Sequence, residues 1–320
     1  MNRILIAEDD PVLRRMVEAL LTKAGHAIIA VPDGKEALEI LEGEDAPNLA
    51  VLDWMMPGME GPQVCQRIRQ RRDRPYVYIL LLTALNQKGN VLEGLESGAD
   101  DYLTKPFDAE ELRARVRVGL RILSLQQSLI TAREELRFQA THDALTGLLN
   151  RSSVLEAINR ERSRQVREGG SLGIILADLD HFKNINDTYG HLVGDTVLKE
   201  TARRMANCVR PYDAVGRYGG EEFLIVAPTA DDKGSMSLAE RMRETIASAP
   251  VETSSGSIRV TASFGVVVGS AEKTAEPNAL LLNVDAALYR AKELGRNRCE
   301  LADGITPNRM PVLANSDRVF

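Results

Sequence analysis

Two pairs of acidic residues in the C-terminal half of the chain have the residue types and spacing that bind a divalent cation. The first pair, Glu221-Glu222, directly follows Gly219-Gly220 in the stretch RYGGEEF (217–223). Strand-like runs on both sides of two glycines predict a β-hairpin whose turn presents both carboxylates. We expect the glycines to supply positive φ at the turn and to let a bulky ligand approach the backbone. Hard oxygen donors beside a phosphate-sized gap suit Mg²⁺.

The second acidic pair, Asp178 and Asp180, directly follows an apolar run of strand length, residues 172–177. If this strand pairs with the one that begins at Phe223, Asp178 and one of the glutamates converge at one end of a sheet. Carboxylates from two elements, with room for a polyphosphate, are typical of two-metal phosphoryl or nucleotidyl transfer sites. Taken alone, each pair could equally be a solvated turn or strand end; their occurrence together favours the metal site.

A third group of polar residues lies in the N-terminal part of the chain, where its members follow short apolar runs. They are Glu8, Asp9, Asp10, Asp53, Thr83 and Lys105. If the runs are parallel strands, their carboxyl ends meet at one edge, where ligands bind in such sheets. A carboxylate beside a bound divalent cation can attack a phosphoryl donor. The hydroxyl could then bond the new phosphate and the ammonium could neutralise it. A solvated strand end would explain any one of these residues, but not all of them together.

The elements that must position this third group alternate between strand and helix. This alternation predicts a doubly wound, five-stranded parallel sheet with helices on both faces. The predicted strands cover 3–7, 26–31, 49–52, 77–82 and 101–104. The predicted helices cover 11–24, 34–41, 61–71 and 87–97, and a further helix begins near residue 108.

A connector follows, in which residues 108–140 lack proline and contain a single glycine. Apolar residues spaced by 4, 3, 4, 3 and 4 form a heptad seam there: Val118, Ile122, Leu125, Leu129, Ala132 and Leu136. We expect one continuous helix that pairs in parallel with the same helix of a second protomer. The alternative is a long helix that packs only on its own domain.

The C-terminal elements predict an antiparallel-rich α+β sandwich around the acidic hairpin. The predicted helices cover 148–168, 182–190, 195–209, 237–248 and 283–294. Strands are predicted at 172–177 and 258–268, with a last short strand near Cys299.

Four stretches of the N-terminal part carry the strand-end residues: LIAEDD (5–10), LDWMMPGMEG (52–61), LLTAL (81–85) and GADDYLTKPF (98–107). Together they resemble the motifs of response-regulator receiver domains, over roughly residues 1–122. The resemblance implies that a sensor histidine kinase or phosphotransfer protein phosphorylates Asp53. It also implies one Mg²⁺ held directly by Asp9, by Asp53 and by the Met55 carbonyl, and through water by Glu8. Thr83 and Tyr102 would be the switch pair, assisted by Lys105, whose bond to Pro106 would be cis.

Four stretches of the C-terminal part occur in a fixed order: DALTGLLNR (143–151), DLDHFKNINDTYGHLVGD (178–195), RYGGEEF (217–223) and ALYRAKELGRN (287–297). Together they resemble the motifs of the GGDEF diguanylate cyclases, over roughly residues 141–302. Glu221 stands where the family name has Asp, which keeps the carboxylate. The resemblance implies a mixed sheet like the palm of nucleotide cyclases and polymerases. It also implies a reaction that joins two GTP molecules into cyclic di-GMP and releases two pyrophosphates.

The resemblance also assigns roles to individual residues. Asp178, Glu221 and the Leu179 carbonyl would hold one Mg²⁺, and Glu222 would hold a second. Substrate contacts would come from the turn glycines, from a guanine-binding pair and from phosphate-binding cations: Gly219, Gly220, Asn186, Asp195, Lys183, Lys292 and Arg296. Lys292 and Arg296, four residues apart, are predicted to share one helix face, although an ordinary solvated face would give the same spacing.

A regulatory site is implied by the stretch Arg210-Pro211-Tyr212-Asp213, just upstream of the hairpin. It matches the RxxD motif at which cyclic di-GMP inhibits members of the family. An arginine can pair with a phosphate or stack on guanine, and an aspartate can accept hydrogen bonds from a guanine edge. We therefore expect product inhibition through Arg210 and Asp213.

Composition limits the classes of protein that the chain can represent. It has 320 residues, 44% hydrophobic and 27% charged, as in soluble globular proteins of two domains. The net charge of −6 argues against general nucleic-acid binding, and no apolar stretch suggests a membrane span. We expect a cytoplasmic protein with a receiver domain at 1–122, a coiled-coil linker at 123–140, a cyclase domain at 141–302 and a disordered tail at 303–320.

The expected function is that of a phosphorylation-regulated diguanylate cyclase in two-component signalling. One cyclase domain would hold one GTP, so the reaction requires two domains face to face in a homodimer. Two alternatives remain: a cyclic di-GMP receptor without activity, and a scaffold that relays phosphorylation through dimer exchange. The carboxylate Asp195 disfavours a cyclase that makes another dinucleotide, because adenine lacks the donor pair that it would bind.

Overall fold

The computed structural model describes residues 2–71, 74–84, 96–228, 230–270 and 277–303. Two compact units divide the chain, Met1–Glu134 and Glu135–Phe320. All but the last two residues of the helix predicted at 87–97, and all but the first residue of the predicted tail, lie outside the described residues. Within those residues no helix combines the length and apolarity needed to cross a bilayer.

The first unit contains a five-stranded, all-parallel sheet in the order β2-β1-β3-β4-β5. The strands are β1 (Arg3–Ala7), β2 (Ala27–Val31), β3 (Leu49–Asp53), β4 (Tyr78–Thr83) and β5 (Asp101–Thr104). The helices before the connector are α1 (Pro11–Lys23), α2 (Gly34–Leu41) and α3 (Gly61–Gln70). Every residue of β3 and β4 is buried, as expected for central strands that are covered on both faces. The predicted doubly wound fold is confirmed.

The connector helix, α4 (Ala109–Thr141), has two distinct faces. One face packs on the sheet of the first unit through Leu112, Val116, Gly119 and Leu123. A Cβ at Gly119 would lie 2.6 Å from the Tyr78 ring, so glycine lets the helix approach β4 closely. The heptad seam lies on the other face: its members Val118, Ile122, Leu125, Leu129, Ala132 and Leu136 are all exposed. The helix is therefore continuous and packs on its own unit, yet it leaves the seam free.

The second unit contains a mixed sheet in the order β12-β11-β6-β8-β7. The β11–β12 pair is parallel and the others are antiparallel. Its strands are β6 (Ser171–Leu179), β7 (Ala214–Gly219), β8 (Glu222–Pro228), β11 (Ala262–Ser270) and β12 (Cys299–Leu301). The helices are α5 (Arg151–Glu168), α6 (Phe182–Tyr189), α7 (His191–Ala206), α8 (Asp232–Ala247) and α9 (Pro277–Glu293). Apolar clusters lie on both faces of the sheet, and the predicted mixed-sheet α+β fold is confirmed.

Several elements of the second unit differ from their predictions. Helices α8 and α9 begin earlier than predicted, at Asp232 and Pro277 rather than at Ser237 and Asn283. The strand predicted over 258–268 is split: β10 (Gly256–Ile258) pairs with β9 (Val251–Thr253) in a separate two-stranded sheet, while β11 joins the main sheet. The helix predicted to begin at Asp195 begins at His191. Gly190, at φ 84°, separates α6 from α7 there, a conformation that favours glycine.

Candidate phospho-acceptor site and candidate active site

Three carboxylates meet at the carboxyl edge of the parallel sheet in the first unit. Glu8, Asp9 and Asp53 each offer an oxygen, and these oxygens all lie within 4.8 Å of one another. Glu8 and Asp9 directly follow β1, and Asp53 ends β3. The neighbouring Asp10 does not join them, because its side chain caps α1 by accepting from the Val12 N–H at 2.8 Å. The sequence predicted three or four carboxylates at this edge, and the structure brings three together.

Lys105 bridges two of these carboxylates. Its Nζ lies 2.7 Å from Glu8 Oε2 and 2.8 Å from Asp53 Oδ1. Burial raises the pKa of Glu8, and its hydrogen bond to Lys105 only partly offsets this effect. Burial alone would lower the pKa of Lys105, but hydrogen bonds to Asp53 and Glu8 outweigh it and raise that pKa. The site thus keeps a cation beside the side chain predicted to be phosphorylated.

The other predicted residues of this site lie around the cluster. Thr83 ends β4 and is buried, and its carbonyl accepts a hydrogen bond from the Lys105 N–H at 2.7 Å. Tyr102 lies on β5 and is half-buried, whereas the Met55 side chain is 63% exposed. The Lys105–Pro106 peptide is cis, as predicted. The three clustered carboxylates are hard oxygen donors that fit one Mg²⁺.

The second unit brings the two predicted acidic pairs to one end of its sheet. Strand β6 pairs with β8 so that Asp178 lies opposite Glu222. The Leu179 N–H donates to the Glu221 carbonyl at 3.3 Å, which joins the end of β6 to the hairpin turn. Lys292, near the end of α9, places its Nζ 2.8 Å from Asp178 Oδ2. The convergence that the sequence made conditional on this strand pairing is therefore present.

The electrostatics of this end of the sheet favour a cation. Burial raises the pKa of Asp178, and Lys292 opposes this shift. Burial also raises the pKa of Glu221, and the charge of Asp178 raises it further. Among the described residues only the cluster of the first unit draws three possible ligands within 4.8 Å. Here Asp178 is paired with Lys292 instead, but carboxylates that oppose each other's ionisation fit Mg²⁺.

The turn between β7 and β8 differs from its prediction in one respect. Neither Gly219 nor Gly220 has a left-handed φ, so the expectation of positive φ was wrong. A β-bulge between Arg217 and Gly219 closes the hairpin instead. A Cβ at Gly219 would lie 2.8 Å from Glu222 Oε2, whereas one at Gly220 would meet nothing within 4 Å. The backbone at Gly220 is therefore open to a ligand, as the sequence suggested.

Arg217 supports this turn and was not singled out from the sequence. Its Nη2 donates to the Gly220 carbonyl at 2.8 Å, and its Nη1 lies 3.3 Å from Asp143 Oδ2. The Leu149 N–H donates a hydrogen bond to the Val215 carbonyl of β7, and the Leu149 carbonyl accepts one from the Arg217 N–H. These contacts fix the DALTGLLNR stretch along β7. The sequence did contain a signal for this role, because an arginine shortly before two adjacent glutamates can offset their charge.

The predicted guanine-binding pair lies on two neighbouring helices. Asn186 is on α6 and Asp195 is on α7, and both are half-buried. A Cβ at Gly194 would overlap Asn186 Oδ1, so glycine brings the two helices close beside Asp195. Lys183, on the first turn of α6, is exposed.

The two predicted phosphate-binding cations do not share a helix face. Helix α9 ends at Glu293, so Lys292 is helical and Arg296 lies beyond the end. Gly295 has φ 114°, and the Arg296 N–H donates to the Ala291 carbonyl at 3.0 Å. This bond across six residues is a Schellman motif, which ends a helix with glycine. The prediction of a shared face was therefore wrong, although the charge of Arg296 still lowers the pKa of Asp178.

The predicted inhibitory motif forms a compact turn before β7. Asp213 Oδ2 accepts from the Arg210 N–H at 2.9 Å, and the Asp213 N–H donates back to the Arg210 carbonyl at 3.0 Å. The Arg210 side chain is exposed and donates to the Tyr212 hydroxyl at 2.8 Å. The guanidinium is therefore held at the surface, beside an aromatic ring.

Comparison with known families identifies both units. Residues 4–117 match the family model described as "Response regulator receiver domain", and residues 140–298 match "Diguanylate cyclase, GGDEF domain". The response regulator PleD of Caulobacter vibrioides is 31% identical over 300 residues, which are 92% of this chain and 65% of PleD. The chain therefore spans slightly less than two thirds of that relative.

Two solved structures resemble the C-terminal part. The coiled coil and GGDEF domain of DgcB from Caulobacter crescentus, solved with c-di-GMP, is 28% identical at TM-score 0.54 and covers 60% of this chain and 99% of its own. Diguanylate cyclase SiaD of Pseudomonas aeruginosa, solved with its activator SiaC, is 36% identical at TM-score 0.51. The match covers 60% of this chain and 74% of the SiaD chain. The chain thus belongs to the response regulators that join a receiver domain to a GGDEF domain.

Proposed function

We propose that this protein is a phosphorylation-regulated diguanylate cyclase that condenses two GTP into cyclic di-GMP and two pyrophosphates. The observation that carries the proposal is the register that sets Asp178 opposite Glu222 beside the GGEEF turn, with Lys292 at 2.8 Å. The GGDEF match over residues 140–298 supports the same activity. We propose a receiver domain at 1–122, a linker at 123–140 and a cyclase domain at 141–302.

The residues of the active site divide into cation-holding and substrate-holding groups. Asp178, Glu221 and the Leu179 carbonyl would hold one Mg²⁺, and Glu222 would hold a second. Such ions neutralise the polyphosphate charge and stabilise the charge that develops in phosphoryl transfer. The open backbone at Gly220 leaves space beside the turn for the triphosphate. The chain's own contribution is to hold this charge and to align the reacting groups.

Substrate recognition is proposed for the two half-buried polar residues Asn186 and Asp195. A carboxylate can accept from both the ring N–H and the exocyclic amine of guanine, a donor pair that adenine lacks. The triphosphate would bind Lys292 and Arg296, with assistance from the exposed Lys183. Lys292 and Arg296 contribute charge close to Asp178, beside which the transferred phosphorus would lie.

Dimerisation is proposed to link the two functions. Each cyclase domain would hold one GTP, so two domains must face each other. The seam on α4 supports parallel pairing of two copies, because its six apolar positions at heptad spacing are all exposed. Phosphorylation of Asp53 would change how the receiver domains meet, and α4 would transmit that change.

The phosphorylation step is proposed for the cluster at the sheet edge of the first unit. Asp9, Asp53, the Met55 carbonyl and, through water, Glu8 would hold one Mg²⁺. A sensor histidine kinase or phosphotransfer protein would supply the phosphoryl group to Asp53. Lys105 is already within 2.8 Å of the acceptor and would neutralise the added charge, while Thr83 and Tyr102 would be the switch pair.

The experiment that tests the proposal is GTP turnover with product identification, with and without the phosphoryl mimic beryllofluoride. Asp53→Asn is the matched control for the receiver. We expect cyclic di-GMP formation that beryllofluoride raises in the wild type but not in the control. Formation without a response would refute regulation by the receiver. Binding of cyclic di-GMP with no formation under either condition would refute the cyclase and favour a receptor.

A further inference from the structure

Asp180 is a buried carboxylate that has no role in the proposed function. It lies two residues after Asp178, directly beyond the end of β6, and is only 5% exposed. Burying an ionised carboxylate is costly unless hydrogen bonds replace its lost hydration. The groups that bind Asp180 therefore indicate what the fold uses it for.

Three donors hold this carboxylate. The Thr261 hydroxyl donates to Oδ2 at 2.7 Å, and the Ser263 hydroxyl donates to Oδ1 at 2.7 Å. The third donor is the backbone N–H of Asn297, 3.1 Å from Oδ2. Thr261 directly precedes β11 and Ser263 lies within it, whereas Asn297 lies in the loop after α9. Asp180 therefore ties this loop to the sheet.

The loop that Asp180 holds has an unusual backbone. Gly295, Arg296 and Asn297 follow one another at φ 114°, 63° and 46°. Left-handed φ is uncommon for residues with a side chain and persists where the surroundings hold it. Asn297 is held through its N–H by Asp180 and through its Oδ1 by Arg243 Nη1 at 3.0 Å.

Two residues at the end of β6 thus contact the two ends of segment 292–297, which is part of the proposed phosphate-binding site. Asp178 contacts the Lys292 side chain at 2.8 Å, and Asp180 contacts the Asn297 backbone at 3.1 Å. Arg296 lies between these two anchors, beyond the helix and in left-handed conformation. Its direction is set by the loop rather than by the helix face.

We propose that Asp180 is a positioning residue for nucleotide binding, which holds the left-handed loop so that the Arg296 guanidinium lies beside the triphosphate. The inference rests on the proposed function for the identity of the nucleotide. Asp180 would touch neither substrate nor metal, and it would act through Arg296.

The test is Asp180→Asn in the full-length protein, which keeps the shape but replaces one acceptor oxygen by a donor. The measurements are KM and kcat for GTP, and the Kd of a non-hydrolysable GTP analogue with Mg²⁺ by calorimetry. We expect KM and Kd to rise about tenfold while kcat changes by less than about threefold. A fall in kcat with KM and Kd unchanged would overturn the inference.

A second arm separates positioning from general damage. In an Arg296→Ala background, Asp180→Asn should change the Kd of the analogue by less than about twofold, because the residue it acts through is gone. An undiminished effect in that background would overturn the inference. Calorimetry also separates the two proposals: a wild type that binds the analogue but makes no cyclic di-GMP contradicts the cyclase alone. A wild type that does not bind the analogue contradicts both.

If Asp180→Asn does not fold, as judged by circular dichroism, Thr261→Val carries the same test. Thr261 shares Oδ2 with the Asn297 N–H, so its loss frees the carboxylate to turn. We expect a rise in Kd of about threefold that is again lost in the Arg296→Ala background. Thr245→Val is the matched control and should leave the Kd unchanged, since that hydroxyl donates to the Arg241 carbonyl of its own helix and accepts from the Cys208 thiol.

Discussion

Lys292 Nζ lies 2.8 Å from Asp178 Oδ2 and joins helix α9 to the end of the central strand β6. The side chain of Asp178 is 9% exposed and that of Lys292 is 33% exposed, so the pair lies at the rim of the site rather than in the core. A cation in this position lowers the pKa of a carboxyl that burial raises. We propose that Lys292 turns from this carboxylate to a phosphate when a nucleotide and Mg²⁺ bind.

The first prediction concerns this lysine. Lys292→Gln removes the charge but keeps most of the length of the side chain, so we expect KM for GTP to rise about tenfold through loss of a phosphate contact. Steady-state kinetics at saturating Mg²⁺ measure this change. Lys199→Gln, at an exposed position on α7, is the control and should behave as the wild type. An unchanged KM in the Lys292 variant would show that this lysine binds no substrate.

The second prediction concerns the raised pKa of Glu221. A carboxyl with a raised folded-state pKa favours folding below its unfolded pKa, and this contribution is lost as pH rises through the folded value. Ionised Glu221 therefore destabilises the metal-free protein at pH 7. We expect Glu221→Gln to raise Tm by about 2–4 °C there, if removal of the charge contributes about 1 kcal/mol, and to have no effect at pH 3.

Mg²⁺ should reverse the order of the two Tm values, so that the wild type melts at a higher temperature than Glu221→Gln. A ligand that binds only the folded state stabilises it, so Mg²⁺ with a GTP analogue should raise Tm of the wild type more than that of Glu221→Gln. Calorimetric melts with and without Mg²⁺ measure the difference. An equal gain in both proteins would exclude Glu221 as a Mg²⁺ ligand.

The positions that the sequence predicted well are those that local pattern determines. An apolar run ends at Ala177, so Asp178 had to lie at a strand end, and two glycines between strand-like runs had to form a hairpin. The pairing of β6 with β8 was only a condition in the sequence, and the structure supplies it. The same reasoning located Asp53 and Thr83, because parallel strands present their carboxyl ends at one edge.

The positions that were missed depend on tertiary contacts or on backbone detail. Nothing near Lys292 in the sequence shows that α9 ends above β6 and reaches Asp178. The helix was extended to Leu294 and Arg296 was placed on its face, although Gly295 is a helix-stop signal. Asp180 looked like one more member of an acidic pair, because its donors Thr261 and Ser263 come from a strand some eighty residues later.

The third prediction concerns Lys105. Lys105→Met removes the ammonium group and leaves the Glu8 carboxylate buried without its cation. Breaking such a buried pair lowers the free energy of unfolding by about 3 kcal/mol. We therefore expect the first unit of the variant to unfold at a lower denaturant concentration than in the wild type at pH 7. The loss should shrink as pH falls, since protonation of Glu8 removes the uncompensated charge. Chemical denaturation followed at several pH values measures this; a pH-independent loss would show that lost packing, not charge, is responsible.

The fourth prediction concerns product inhibition. Arg210→Ala should relieve inhibition by cyclic di-GMP and raise its inhibition constant about tenfold or more, because an exposed guanidinium that can bind phosphate or guanine is lost. The control Tyr212→Phe removes only the hydroxyl to which Arg210 donates. Cyclic di-GMP should inhibit this variant nearly as strongly as the wild type. Initial rates against added cyclic di-GMP measure both. Inhibition that persists unchanged in Arg210→Ala would refute the assignment of this motif.

The fifth prediction concerns the exposed heptad seam of α4. Leu125 and Leu129 are 62% and 70% exposed, so aspartate at both positions costs little within one copy. In a pair of parallel helices, however, it would place four carboxylates at one buried seam. We expect Leu125→Asp plus Leu129→Asp to convert the protein to monomers and to abolish cyclic di-GMP formation.

The control for the seam is Gln127→Asp plus Thr131→Asp, which adds the same charge at exposed positions off the seam. Light scattering on a sizing column gives the mass of each variant, and turnover is measured on the same fractions. The control should remain dimeric and active. Dimers that survive the seam variant would show that the copies associate elsewhere. Active monomers would contradict the requirement for two facing cyclase domains, since each domain would hold one GTP.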